Sequence, residues 1–201
     1  MKGVAKPFSR GWPLETEPSR QMRLEQRISK SKKQITNDWF AILAGTYPPD
    51  TTRFLKTNKD TFTNPVGGTS RRTLEAVLDA LLENAAPDHL SQQLDALIRI
   101  RAVQTMFTPS QATAFILDLK PIIRTRLYTA SDDPQDQRER QEFETRIDRL
   151  LLIAFDIFLS CREKIYHLKA TEEQSKIYRA FARAGLVRED SQDQPDAGIS
   201  K

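Results

Sequence analysis

From about Arg20 to Gly45, Met22, Leu24, Ile28, Ile35, Trp39, Ile42 and Leu43 recur at spacings of mostly three, four or seven. That is the period of a helix with one buried face. Tyr47-Pro48-Pro49-Asp50 stops it, because proline neither continues a helix nor allows α geometry before it. A short helix or turn carrying Phe54 and Leu55 follows, and then a loop from Asp60 to Gly68, in which Asn-Pro and Gly-Gly are turn signals. Thr69 or Ser70 is expected to cap the next helix, which runs to about Asn84 with Leu74, Val77, Leu78, Leu81 and Leu82 on one face. Pro87 opens another helix to about Gln104, carrying Leu90, Leu94, Leu97, Ile98 and Val103. Thr108-Pro109-Ser110-Gln111 is the clearest start signal: a Thr cap, a Pro in the first helical position and a Gln three residues on. The helix it opens carries Phe115, Ile116, Leu119, Ile122, Ile123 and Leu127, and the polar stretch Thr129–Gln137 makes a loop.

The final helix begins near Pro134 and extends to about Ala184. Ile147, Leu151, Ala154, Phe158, Cys161, Ile165 and Leu168 sit at alternating steps of four and three, the heptad signature of a helix seam. Leu150, Ile153 and Ile157 form a second stripe beside it, so the helix is apolar nearly all round between residues 150 and 161. Two coverings fit this pattern: a central core helix in a monomer, or one side on its own domain and the other on a second copy. The second is favoured, because about 50 residues make about 75 Å of helix, longer than a domain of this size is wide. The distal part, with Ile177, Tyr178 and Phe181, must then project, bend back or pair. Asp156, inside the apolar run, is expected to be buried against a cation, with Arg99 and Arg101 as candidates.

No stretch alternates like a strand. The pattern therefore predicts an all-α domain of six or seven helices over residues 19–184, with a disordered basic tail over 1–18 and a disordered tail over 185–201.

Composition alters this picture little. Of the 201 residues, 38% are hydrophobic and 29% charged, as in a globular domain with a large wetted surface. The net charge of +4 is concentrated at the start, where residues 1–35 hold nine Lys or Arg against three Glu. No aromatic residues alternate with those cations, so nucleic acid is not the expected partner. One cysteine excludes an internal disulfide, and the chain has neither a signal-peptide core nor an apolar run long enough to span a bilayer. A cytoplasmic protein is expected.

Catalytic chemistry finds few candidates. His89 and His167 are isolated, which disfavours metal ligation. Cys161 and His167, six residues apart on one helix, face different ways. Gly67-Gly68-Thr69-Ser70-Arg71 lacks the spacing of a phosphate loop and a preceding strand, so a plain turn is expected there. Asp132 and Asp133 sit in a solvated loop. A non-enzymatic protein without metal or cofactor is the reading these residues favour. A small-molecule pocket near Asn64–Gly68 and Arg99–Gln104 is the sharper alternative.

Several motifs together resemble a known family. They are Trp39…Tyr47-Pro48-Pro49-Asp50-Thr51, Phe54-Leu55, Asp60-Thr61-Phe62-Thr63-Asn64-Pro65-Val66-Gly67, Ile98-Arg99-Ile100-Arg101-Ala102-Val103-Gln104, Thr108-Pro109-Ser110-Gln111-Ala112, Ala154-Phe155-Asp156 and Cys161-Arg162-Glu163-Lys164-Ile165-Tyr166. In this order, over roughly residues 20–180, they resemble the RsbRD N-terminal domain, the input module of RsbR-type co-antagonists in bacterial stressosomes. The resemblance implies a globin-like fold without haem, dimerised through its terminal helix. It marks Asn64, Pro65, Gly67, Arg99, Arg101, Gln104 and Asp156 as motif positions with a ligand-binding or structural role. It also implies a regulatory or sensory module whose partners are a STAS protein or an RsbT-like kinase. After Ala184 only about seventeen polar residues remain, so a STAS output domain is expected to be absent and the signal to pass to a separate protein. An adaptor or assembly factor for another cytoplasmic complex is the alternative function.

Overall fold

The computed structural model describes residues 23–58, 60–127 and 134–186. Among these residues there are seven α-helices and no strand: α1 (Leu24–Gly45), α2 (Pro49–Thr57), α3 (Pro65–Leu82), α4 (Pro87–Val103), α5 (Pro109–Thr113), α6 (Leu119–Leu127) and α7 (Pro134–Arg183), with a single 3-10 turn at Ala114–Ile116. The tails and the acidic pair Asp132 and Asp133 lie outside the described residues, save Gly185 and Leu186.

Five of the seven helices begin at a proline. At the first position its missing N–H costs nothing, and its fixed φ is already helical. The capping box at α5 forms as the sequence predicts: Gln111 N–H donates to Thr108 Oγ1, and Thr108 N–H donates to Gln111 Oε1.

The start of α3 differs from the expectation. The helix begins at Pro65, not at Thr69 or Ser70, and Gly67 and Gly68 lie in its first turn. The Asn64 side chain sets this start. Its Oδ1 accepts from Gly67 N–H at 2.9 Å, and its Nδ2 donates to the carbonyls of Leu55 and Asn58. One buried amide thus caps α3 and holds the end of α2 against it. Gly67 leaves room for that amide, since a Cβ there would lie 2.3 Å from Asn64 Nδ2.

The core is one cluster drawn from every helix. Trp39, Phe40, Phe115, Phe143 and Phe158 are its largest apolar members. The Trp39 indole N–H donates to the Phe115 carbonyl at 2.7 Å, so its polar edge is satisfied inside the core. At the open end of the bundle, Asp136 is buried between Arg27 and Arg140 and tethers the start of α7 to α1.

Helix α7 lies on α4, α5 and α3 through Phe143, Ile147, Leu150, Ala154, Phe158 and Cys161. Four of the residues read as a dimer seam, Ile147, Ala154, Phe158 and Cys161, are therefore buried in this chain's own core, and Leu151 packs partly against it. Asp156 is exposed rather than buried, because it lies on the side of α7 away from that core. Arg99 pairs with Asp95 on its own helix, and Arg101 pairs with no described carboxylate. From residue 166 onward every described residue of α7 is exposed, so the distal part of the helix extends past the domain.

Candidate functional site

Two features stand apart from ordinary core packing: a caged arginine near the end of α4, and a second apolar face on α7.

Arg101 is fully buried. Its Nε donates to the Ala112 carbonyl at 2.8 Å, Nη2 to the Gln111 carbonyl at 2.9 Å, and Nη1 to Thr46 Oγ1 at 3.1 Å. The guanidinium lies 4.0 Å from the Phe107 ring centre and about 5.5 Å from those of Tyr47 and Phe115. A buried cation normally meets an anion, because losing its hydration costs several kcal/mol (roughly) per ion. Here rings and carbonyl dipoles stand in for the anion. Burial pushes the guanidinium below its ordinary range, opposed by the neighbouring Tyr47 phenol.

The sequence makes this cage in three pieces. The α1 helix ends at Thr46 and Tyr47, because Pro48 and Pro49 follow. The turn after α4 supplies Phe107, packed edge-on against Tyr47 with ring centres 5.2 Å apart. The capped α5 and the 3-10 turn supply the two carbonyls and Phe115. The Tyr47 hydroxyl faces the guanidinium, while the buried Gln104 Oε1 has no hydrogen-bond partner among the described residues. Beside the cage lies a partly open cavity of about 470 Å³, lined by Thr46, Met106, Phe107, Gln111, Ala114, Phe115 and Asp118. The Asp118 carboxyl is pushed up from its ordinary value by partial burial.

The second feature lies opposite the α7 core face. Leu152, Phe155, Leu159, Tyr166, Ala170, Ile177 and Phe181 follow one another at steps of three, four, seven, four, seven and four, and all are exposed. At 100° per residue these residues share the side of α7 away from the domain, in a stripe that Glu163, Glu173 and Gln174 interrupt.

The motif positions divide accordingly. Arg101 is the caged cation, and Gln104 lies in the turn after α4, its N–H donating to the Arg101 carbonyl and its carbonyl accepting from Phe107 N–H. Asn64, Pro65 and Gly67 form the start of α3 and are structural. Arg99 and Asp156 are exposed and belong to neither group. His89 lies exposed in the first turn of α4, 3.5 Å from the Gln93 amide nitrogen, and His167 is exposed on distal α7. The inner faces of α3 and α4 are filled by Leu74, Val77, Leu78, Leu94, Leu97 and Ile98. Among the described residues, no group of three His, Cys, Asp or Glu is placed to hold a metal ion, and no helix is long and apolar enough to cross a membrane.

Sequence reasoning missed the outer stripe, although Leu152, Phe155 and Leu159 were legible as a heptad one position round from the inner seam. It also missed Thr46, Phe107 and Phe115 as cage walls. The signal available there was Tyr47 and Phe107 flanking turns on both sides of an arginine within an apolar stretch.

The fold and these features define a helical, globin-like domain with a caged cation and an exposed helical face. Comparison with known families makes this specific. The RsbT co-antagonist protein RsbRD N-terminal domain matches residues 33–172, and this chain belongs to that family. An uncharacterised protein of the archaeon Archaeoglobus fulgidus is 26% identical over 98 residues, which is 49% of this chain and 60% of that protein. The chain thus spans less than two thirds of this relative. No solved structure matches.

Proposed function

We propose that this protein is a regulatory input domain of the stressosome type, cytoplasmic and non-catalytic, which binds no haem and works as a homodimer through α7. The observation that carries the reading is the two-sidedness of α7 in a chain of this family: one face completes its own core, and the opposite face is an apolar stripe running past the domain. Such a helix buries its outer stripe against an identical one, forming a seam of apolar a and d positions. The seam uses Leu152, Phe155 and Leu159 in place of Ile147, Ala154 and Phe158, which the core already holds. Of the residues first assigned to the seam, Leu168 is exposed at 67% and continues the line of Leu150 and Cys161, on the side of α7 opposite the outer stripe. The lack of haem is supported by the exposed position of both histidines and by the apolar side chains between α3 and α4. The output passes along α7 to a STAS-type domain or an RsbT-like kinase, in the same polypeptide or a separate one.

Light scattering coupled to gel filtration tests the dimer. The wild-type chain is expected at twice its 23.0 kDa mass. Leu152→Glu/Leu159→Glu is expected at the monomer mass with an unchanged melting profile. A wild-type protein that remains monomeric at high micromolar concentration would sink the dimer.

A further inference from the structure

We infer that the recess between the α3–α4 turn and α7 binds a small monoanion with an apolar body, such as an aromatic carboxylate, its charge held between Arg146 and Arg149. The inference rests on the input-domain reading for its meaning and deepens it, because it names the class of input.

The recess has an apolar floor and a cationic rim. Leu81, Ala85, Leu90 and Ile153 contribute the floor, while Asn84, Arg146 and Arg149 bring polar groups to the wall. Its volume is about 250 Å³, the share of about eight water molecules in the liquid. No carboxylate lines it. An outer cavity of about 400 Å³ adjoins it, sharing Asn84, Arg146 and Arg149 and adding Arg138 and Glu142. The recess has a local origin. The α3 helix closes with Asn84 at a φ of 50° and with Ala85 N–H donating back to the Ala80 carbonyl at 2.9 Å. Pro87 opens α4 directly afterwards, so only the small side chains of Ala85 and Ala86 stand between the two helices.

The donors face an anion with their better edge free. Arg146 uses only Nη1, which donates to Glu25 Oε1 at 3.0 Å and to the Leu81 carbonyl at 3.1 Å. Its Nε and Nη2 have no partner among the described residues and are not sealed from solvent. That edge is the one a carboxylate meets with two parallel hydrogen bonds. Arg149, three residues further along the same helix surface, makes no hydrogen bond or ion pair among the described residues, and neither does the Asn84 amide side chain.

Charge selects a single negative unit. The two guanidinium groups repel each other at this spacing, and Glu25 neutralises only one of them. Glu142 lines the outer cavity and makes no described ion pair, so it turns an anion away from there and toward the inner recess. Glu83 and Asp88 flank the turn but line neither cavity. A solvated surface cation accounts for Arg149 alone. It does not account for a second guanidinium offering its open edge beside the same apolar floor. A ligand here ties the α3–α4 turn to α7 three residues before Leu152, where the outer stripe begins.

The test is titration of the ¹⁵N-labelled protein with sodium benzoate, followed by amide shifts, with benzamide as the uncharged control of the same shape. Benzoate is expected to bind with a Kd on the order of a millimolar, the affinity of so small a ligand, and to shift Asn84, Ala85, Ala86 and Leu90. Benzamide is expected to bind at least about tenfold more weakly, the factor one lost charged contact brings. Arg149→Gln, a surface substitution that leaves the fold intact, is expected to weaken benzoate by about tenfold and leave benzamide unchanged. Arg138→Gln, which touches only the outer cavity, is expected to bind benzoate as the wild type does. Ala86→Trp, placed at an exposed position of the wall, is expected to block both compounds. Equal binding of benzoate and benzamide, an Arg138→Gln loss as large as that of Arg149→Gln, shifts that lie away from the turn, or no shift at all would each overturn the proposal. None of these results bears on the mass of the particle, so the dimer stands or falls on its own experiment.

Discussion

At Gly67 the usual helix rule reverses. Replacing a glycine within a helix by alanine normally stabilises by about 1 kcal/mol. Here the added Cβ would lie 2.3 Å from an Asn64 amide already committed to three backbone partners. Gly67→Ala is therefore expected to destabilise by about 1–2 kcal/mol, the scale of a lost cap, as read by urea denaturation. Arg101→Lys keeps the charge but not the fork. A point ammonium cannot reach both the Ala112 and Gln111 carbonyls and Thr46 from one position, and each buried acceptor left bare costs about 1–3 kcal/mol. The same denaturation experiment should show at least one such loss; unchanged stability would mean the cage tolerates a lysine. At Asp118, burial raises the carboxyl above its ordinary 3.8, so the folded state resists ionisation and loses stability as pH rises through the shifted value. Asp118→Asn is accordingly expected to raise the melting temperature at neutral pH, with the gain fading as pH falls through the shifted value and gone below 3.8.

Among the elements, helix starts were the most legible feature of the sequence, because the cues that set them are local. Pro87, Pro109 and Pro134 each sit at the first position of a helix where the sequence places one, and Thr108 and Gln111 close their capping box within four residues. Thr108→Ala is expected to cost about 1 kcal/mol, and the loss should be measurable by thermal melting. The start of α3 was misplaced because Gly-Gly is an ordinary turn signal, while the amide that overrides it bonds backward to α2, a contact between elements. The sidedness of α7 was obscure for a related reason. Between 150 and 161 hydrophobic residues occur at nearly every angle, and periodicity cannot choose which of two stripes meets α4. The structure chooses the one with small Ala154 at the crossing, and leaves Leu152, Phe155 and Asp156 outside. Arg101 was legible as unusual but not as a cage, because its partners come from chain segments up to 55 residues away.

For the whole molecule, the distal part of α7 is the least self-sufficient piece. Residues 166–183 are exposed throughout. That is roughly five turns of helix. A lone helix of such a length is marginal in water, since nucleation is costly and no packing repays it. Its described ion pairs, Lys176 with Glu172 and Glu173, are fully exposed and screened by water, so they add little. Continuity with the buried half removes the nucleation cost at one end, but the order of the other end must come from a partner along the outer stripe. The expected consequence is linkage between assembly and local order. In the wild-type dimer, amide hydrogen exchange should protect α7 through Ile177 and Phe181. In Leu152→Glu/Leu159→Glu, whose substitutions lie about 10 Å or more from this segment along the helix, protection of 168–183 should fall to that of a fraying terminus while residues 143–161 stay protected. Equal protection in monomer and dimer would show that the distal helix is ordered by itself and that the stripe serves another purpose. Loss of protection confined to the distal segment would make α7 a rod that stiffens only when paired, able to carry a change at α4 and α5 beyond the edge of the domain.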